Sequence, residues 1–284
     1  MKTEDFEAIS LVLIYSALVV YVFAFVAFAL DLAARSVRSI AAQDVIEHRD
    51  ASAETERGSS RAAAGRGTVT GVAVIDGTEI SPQPVRRGSR FARVGVALTA
   101  IAWILHVVGA VLRGLADGHV PWSNMYEFAM IGTGVMAGLF LGLNLRRDIR
   151  FLGTFITGIV VILLGLATVN LYVPVTPLSV PLQSPWLVIH VSVATLGTGF
   201  FAIGAGLSIM QLLQARHARR PFRGRLLDTL PAAANLESLA YRVIVVGFVF
   251  WTFTLIAGAI WAEHSWGRYW GWDTKEVWTF IIWV

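Results

Sequence analysis

Residues 261–276 read Trp261-Ala262-Glu263-His264-Ser265-Trp266-Gly267-Arg268-Tyr269-Trp270-Gly271-Trp272-Asp273-Thr274-Lys275-Glu276. Six of the ten tryptophans of the chain fall in its last 24 residues. Tryptophan faces are large, rigid and apolar. Glycine between them removes a side chain and lets a flat group approach the backbone. Trp261, Trp266, Tyr269, Trp270 and Trp272 therefore read as a platform for a flat hydrophobic ligand, with Asp273 at its edge. Arg268 and Lys275 supply cations for carboxylates on such a ligand. The competing reading is an aromatic belt at headgroup depth, which would populate both membrane interfaces.

Haem is a flat ligand of this kind, a planar macrocycle with two propionates, and it needs imidazole or another axial ligand. Among six histidines, His190 is the strongest candidate, one turn into an apolar run that opens Pro185-Trp186. A histidine in such a run is functional by default, the alternative being an interhelical hydrogen bond. His106 lies near the middle of another apolar run, and reads equally as a buried hydrogen-bonding residue or an inner haem ligand. His119 and His264 read as surface residues, and His48 and His217 as solvated. The stretch Pro121-Trp122-Ser123-Asn124-Met125-Tyr126-Glu127 carries helix-start chemistry, with Glu127 favoured in a first turn. The same acid, with Tyr126 and Asn124, could orient a ligand.

The elements that position these residues follow from composition. The chain has 284 residues, 56% hydrophobic and only 15% charged, with mean hydropathy +0.65. That balance excludes a soluble globular enzyme and a disordered chain. A spanning helix needs about 20 apolar residues. Six runs qualify, at Phe6–Leu30, Phe91–Arg113, Asn124–Asn144, Phe151–Val173, Trp186–Leu213 and Leu239–Trp261. A seventh starts near Glu276, and the expectation is a chain truncated at its C-terminal end. The fold class is all-α, a polytopic membrane helical bundle of six full helices plus the start of a seventh. Residues 1–30 form an N-terminal anchor, 31–90 a flexible Arg-rich cytoplasmic insert, and 91–284 the core that carries the Trp-rich loop 261–276. Residues 225–242 could form a short amphipathic helix on the inner face. Gly134, Gly138 and Gly142 allow close approach of a helix from the same chain or from a partner.

Basic residues prefer the cytoplasmic side. Arg146, Arg147 and Arg150, the arginines at 216–225 and nine arginines in 31–90 share one side if there are six crossings. The opposite loops, including 262–275, are poor in Lys and Arg. The N-terminus and the Trp-rich loop are thus expected outside. The isoelectric point near 9.8 reflects this topology and not nucleic-acid binding. The chain has no cysteine, so any thiol chemistry must come from another molecule.

The pattern Trp-Gly-x-Tyr-Trp-x-Trp-Asp-x-Lys-Glu at 266–276 resembles the tryptophan-rich WWD signature of haem-handling membrane proteins, and most resembles the CcsA/ResC family of cytochrome c biogenesis. Pro121 through Glu127 resembles that family's Pro-x-Ser-Asn-Leu/Met-Tyr-Glu marker, and Ser184 through Val191 the segment bearing its first external haem-ligating histidine. Thr274 stands where the family has proline. The resemblance implies haem b held transiently at the outer face of the cell or thylakoid membrane, with His190 as an axial ligand. It implies a ResB-type membrane partner and an apocytochrome c with a Cys-x-x-Cys-His motif, the complex acting as a holocytochrome c synthase. The family's further histidines follow the Trp-rich loop at positions beyond Val284. A CcmC/CcmF-like transfer of haem to a chaperone, a membrane transporter and a non-haem scaffold are the alternatives.

Overall fold

The computed structural model describes residues 3–63, 90–176, 178–219, 227 and 230–284. Seven α-helices appear in it: α1 Thr3–Ala63, α2 Arg90–Asp117, α3 Met125–Arg146, α4 Gly153–Asn170, α5 Pro185–Arg219, α6 Ala233–Trp266 and α7 Thr274–Trp283. Short 3-10 turns at Arg150–Leu152 and Val180–Gln183 lead into α4 and α5. Six of the helices are long and apolar enough to cross a membrane. The described residues contain no strand. The protein is a polytopic helical membrane bundle.

Helices α1 to α4 surround one core, in which Ile14, Tyr21, Met130, Phe140, Ile156 and Leu164 are fully buried. The outward faces of the same helices are apolar too, as at Val12, Phe23, Ile104, Val111 and Ile162. A helix apolar all round satisfies its backbone internally and tolerates hydrocarbon on its outside. Helix α1 packs chiefly on α2, α5 chiefly on α6, and α5 joins the two groups by resting on α3.

Small residues set these close approaches. The Phe28 ring of α1 lies against Gly95 of α2 and Gly153 of α4. On α3, a Cβ at Gly134 would stand 3.5 Å from the His106 ring and one at Gly138 would stand 2.8 Å from Trp103 Nε1. Trp103 Nε1 also donates to Gly134 O at 2.9 Å. Gly134 and Gly138 thus serve packing within this chain. Gly142 faces open space.

Several boundaries differ from the sequence reading. Helix α1 runs unbroken to Ala63, through the first half of the polar segment 31–90, because Ala, Glu and Arg there are good helix formers. Residues 64–89 lie outside the described residues. Ala233 onward is the opening of the long helix α6 and not a separate amphipathic helix. Of the rest of 225–242, only Leu227 and the residues from Leu230 are described.

Candidate functional site

One end of the bundle gathers the start of α1, the end of α2, the start of α3, the end of α4, the start of α5 and the end of α6. His190 sits there, one turn into α5 and largely buried. Its Nδ1 lies 3.0 Å from the carbonyl oxygen of Thr254 on α6. A carbonyl only accepts, so Nδ1 carries the proton and Nε2 carries the lone pair. Thr254 lies inside α6, and its carbonyl oxygen has a second lone pair beyond the one the helix uses; the Thr254 hydroxyl turns back to Phe250 O at 3.0 Å. Gly258, one turn further along α6, makes the room: a Cβ there would stand 2.8 Å from His190 Cε1 and 2.9 Å from Nδ1.

The Trp261 ring stacks on the imidazole, with centroids 6.0 Å apart and planes inclined by 10°. Trp266 meets Trp261 edge-on at 6.3 Å. Trp186, at the start of α5, lies 6.4 Å from the His264 ring. The geometry joins His190, Trp261 and Trp266 in one aromatic group and places Trp186 and His264 together beside the same helix ends.

Helix α6 ends at Gly267, whose φ of 68° is left-handed and whose N–H closes on Glu263 O at 2.8 Å. This is an ordinary glycine C-cap. Gly271 is covered by the guanidinium of Arg268, which lies directly against its backbone. Both glycines therefore serve the loop's own turns. The face of Gly267 stays open, with nothing within 4 Å of a Cβ placed there, whereas Arg268 covers that of Gly271.

Helix α7 starts with a capping box. Asp273 Oδ1 accepts the Glu276 N–H at 2.9 Å, and Glu276 Oε2 accepts the Asp273 N–H at 3.2 Å and the Gly271 N–H at 2.6 Å. The Glu276 carboxylate thus straps the two amides that flank Trp272. That residue has φ 59°, the only positive φ at a non-glycine among the described residues. Left-handed backbone costs an L-residue about 1–2 kcal/mol. The strap holds Trp272 in it with its ring 74% exposed. Trp270 lies edge-on to Trp272 at 5.8 Å, and Tyr269 is exposed beside them. The Asp273 side chain is committed to the cap. Helix α7 folds back on α6 through Trp251 Nε1 to Thr279 O and Trp283 Nε1 to Thr252 Oγ1, both 3.1 Å.

Glu127 belongs to a second cluster, which the sequence reading did not find. It is fully buried, and so is Arg113, at 1% exposure. Arg113 donates to Glu127 Oε1 from Nη2 at 2.9 Å and from Nε at 3.1 Å. It also donates to Asp117 Oδ2 at 3.1 Å, to Glu7 Oε1 at 3.3 Å and to Val173 O at 2.8 Å. The other Glu127 oxygen accepts the Ser123 hydroxyl at 2.8 Å and its N–H at 2.9 Å, while Asn124 Oδ1 caps α3 through the Glu127 N–H. Tyr126 and Tyr172 flank the guanidinium at 5.7 and 5.8 Å. The Tyr172 hydroxyl donates to Glu7 at 2.6 Å. Burial, and then this bond to Glu7, hold its phenol above its ordinary range. One arginine thus ties α1, α2, α3 and the segment after α4. The Arg113–Asp117 pair, four residues apart in an apolar run, was the available signal.

His106 is fully buried in α2. Its Nε2 donates to Met130 O at 2.9 Å, and the Tyr21 hydroxyl stands 3.5 Å from Nδ1. Both ring nitrogens face protein partners. Among the described residues no group of three or more His, Asp or Glu could hold a bare metal ion.

Residues 122–284 match the family described as cytochrome C assembly protein. The chain is 32% identical over 209 residues to the cytochrome c biogenesis protein CcsA of Guillardia theta, a match covering 67% of this chain and 69% of that one. It is 31% identical over 215 residues to CcsA of Prochlorococcus marinus (strain SARG), covering 66% and 67%. It is 33% identical over 196 residues to protein NrfI of Wolinella succinogenes, covering 66% of this chain but 21% of that longer one. The aromatic loop, His190 and the Arg113–Glu127 cluster all touch the matched region. The chain is a member of the cytochrome c assembly protein family.

Proposed function

We propose that the protein binds haem as its substrate at the outer membrane face and presents it for covalent attachment to an apocytochrome c, in a complex with a ResB-type partner. The observation that supports this best is the state of His190. Its Nδ1–H is tied to Thr254 O, so a half-buried imidazole presents the lone pair of Nε2 beside the stacked ring of Trp261. Iron-ligating histidines use this arrangement, the outer hydrogen bond setting tautomer and ring orientation.

Each residue then has a physical task. Trp261 fixes the imidazole plane by stacking. Trp266, Tyr269, Trp270 and Trp272 offer exposed or half-buried ring surface to a macrocycle. Arg268 and Lys275 offer cations to its propionates. Asp273 and Glu276 act on the substrate only through the shape of the loop they cap. Glu127 holds the loop before α3 against Arg113. Haem b and the two cysteine thiols of the apocytochrome supply the bond-forming chemistry, and the chain contributes orientation and exclusion of water.

The test is made in cells that produce the protein with its partners. Replacing His190 by Ala on the chromosome should abolish covalent haem in c-type cytochromes, read by peroxidase staining of denaturing gels, with the protein still present in membranes. Undiminished staining in that strain would refute the reading.

A further inference from the structure

A cleft of about 840 Å³ runs between α2 and α3, with Leu196 of α5 at its side. That volume lies within the range of small-molecule sites. On α2 it extends from Trp103 to Leu115, twelve residues and so about 18 Å along the helix. Its walls are mostly Val, Leu, Ile, Ala and Gly, with Trp103, His106 and Met130 among them, and Val111 and Leu115 open it toward the bilayer. At the loop end it meets a second pocket of about 290 Å³, lined by Trp122, Gln183, Ser184 and Val188 among others. His119 and Val120 line both.

Two polar atoms are buried here without a hydrogen-bond partner among the described residues: Nε2 of His119, which lines both cavities, and Nε1 of Trp122, which lines the second. Orphaned buried polar atoms are costly, and a pair of them at one site points to a missing group. The Val120 carbonyl orients both residues. It accepts His119 Nδ1–H at 2.8 Å and the Trp122 backbone N–H at 2.9 Å. With Nδ1 protonated, neutral His119 offers an acceptor at Nε2, and Trp122 offers a donor at Nε1. The missing group must both donate and accept, as a hydroxyl does.

Charge narrows it further. Among the described residues lining the cleft and the pocket there is no lysine or arginine. A phospholipid headgroup or the two propionates of haem would lie there uncompensated. The flat rings of Trp122 and His119, with Pro121 and Pro185 beside them, suit a planar head. We infer that this cleft binds a neutral, lipid-soluble hydroquinone, its ring hydroxyls donating to His119 Nε2 and accepting from Trp122 Nε1, and its apolar tail lying between α2 and α3. The site is separate from His190, and the inference stands apart from the haem reading.

The test is calorimetric titration of the purified protein in detergent with decylubiquinol, decylubiquinone and 1-decanol. The quinol should bind one to one. The oxidised quinone, which has no hydroxyl to donate, and His119→Ala or Trp122→Phe should each weaken binding by about tenfold, the loss expected for one hydrogen bond. Val111→Trp, which fills the lipid-facing mouth without touching the core, should block binding. Folding of each variant is checked by an unchanged thermal midpoint. Equal affinity for quinol and decanol would mean a tail-only groove and overturn the proposal. So would quinol binding indifferent to all three variants. A haem absorption band lost in His119→Ala while the fold persists would seat haem in the cleft and equally overturn it.

Discussion

At His190 a single backbone carbonyl decides which ring nitrogen keeps its lone pair. Gly258 decides whether that bond can form, because any Cβ there would press on Cε1 and Nδ1. Gly258→Ala should therefore mimic loss of the ligand, lowering haem content severalfold while the helices stay folded, measured as absorbance per protein against circular dichroism. His190 was legible because a histidine in an apolar run beside a proline-tryptophan start is unusual. Gly258 was not legible, since nothing local distinguishes it from other small residues on α6. Arg113 was hidden for a different reason. Its partners Glu7 and Val173 lie more than fifty residues away in the chain and meet it only in the fold. Removing one member of a buried charge group leaves the others uncompensated and costs about 3–5 kcal/mol. Arg113→Leu should thus lower the thermal midpoint markedly. The double change Arg113→Leu with Glu127→Leu should recover part of it.

The Trp-rich loop works as an element because it is pinned at both ends. Gly267 closes α6, and the Asp273–Glu276 box opens α7. Between them Trp272 stands in left-handed backbone with its ring outward. Loss of an N-cap costs about 1 kcal/mol. Asp273→Ala should accelerate amide exchange across 274–283 and leave α1 to α5 unchanged. Trp272→Gly should do the reverse for stability, releasing about 1 kcal/mol of backbone strain, yet reduce haem retention. A gain in both stability and haem content would separate the strain from function. The composition of this loop signalled a cluster of ring faces in residue type. The roles of Gly267, Gly271 and Asp273 depend on φ angles and hydrogen bonds that composition does not encode.

Across the whole molecule, the six spans were visible because length and hydropathy alone define a membrane crossing. Helix ends were less visible, since α1, α5 and α6 continue past their apolar stretches into charged residues that still favour helix. The chain brings the aromatic loop, His190 and the Arg113 clamp to one end, and Arg146, Arg147 and Arg150 lie at the other end of α3 and the start of α4. Positive residues prefer the cytoplasm, so the aromatic end should face outward. The absence of native cysteine makes this simple to check. A single cysteine at Ser265 should react with a membrane-impermeant maleimide in intact cells, and one replacing Asp148 should react only after the membrane is broken.

The proposed function rests above all on His190 ligating haem within the aromatic cluster. The direct measurement is the absorption spectrum of the protein purified from haem-replete membranes, wild type beside His190→Ala, each with and without added imidazole. A Soret band is expected in the wild type, shifted or lost in the variant and restored by imidazole. A colourless wild-type protein, or a band unaltered by the substitution, would contradict it.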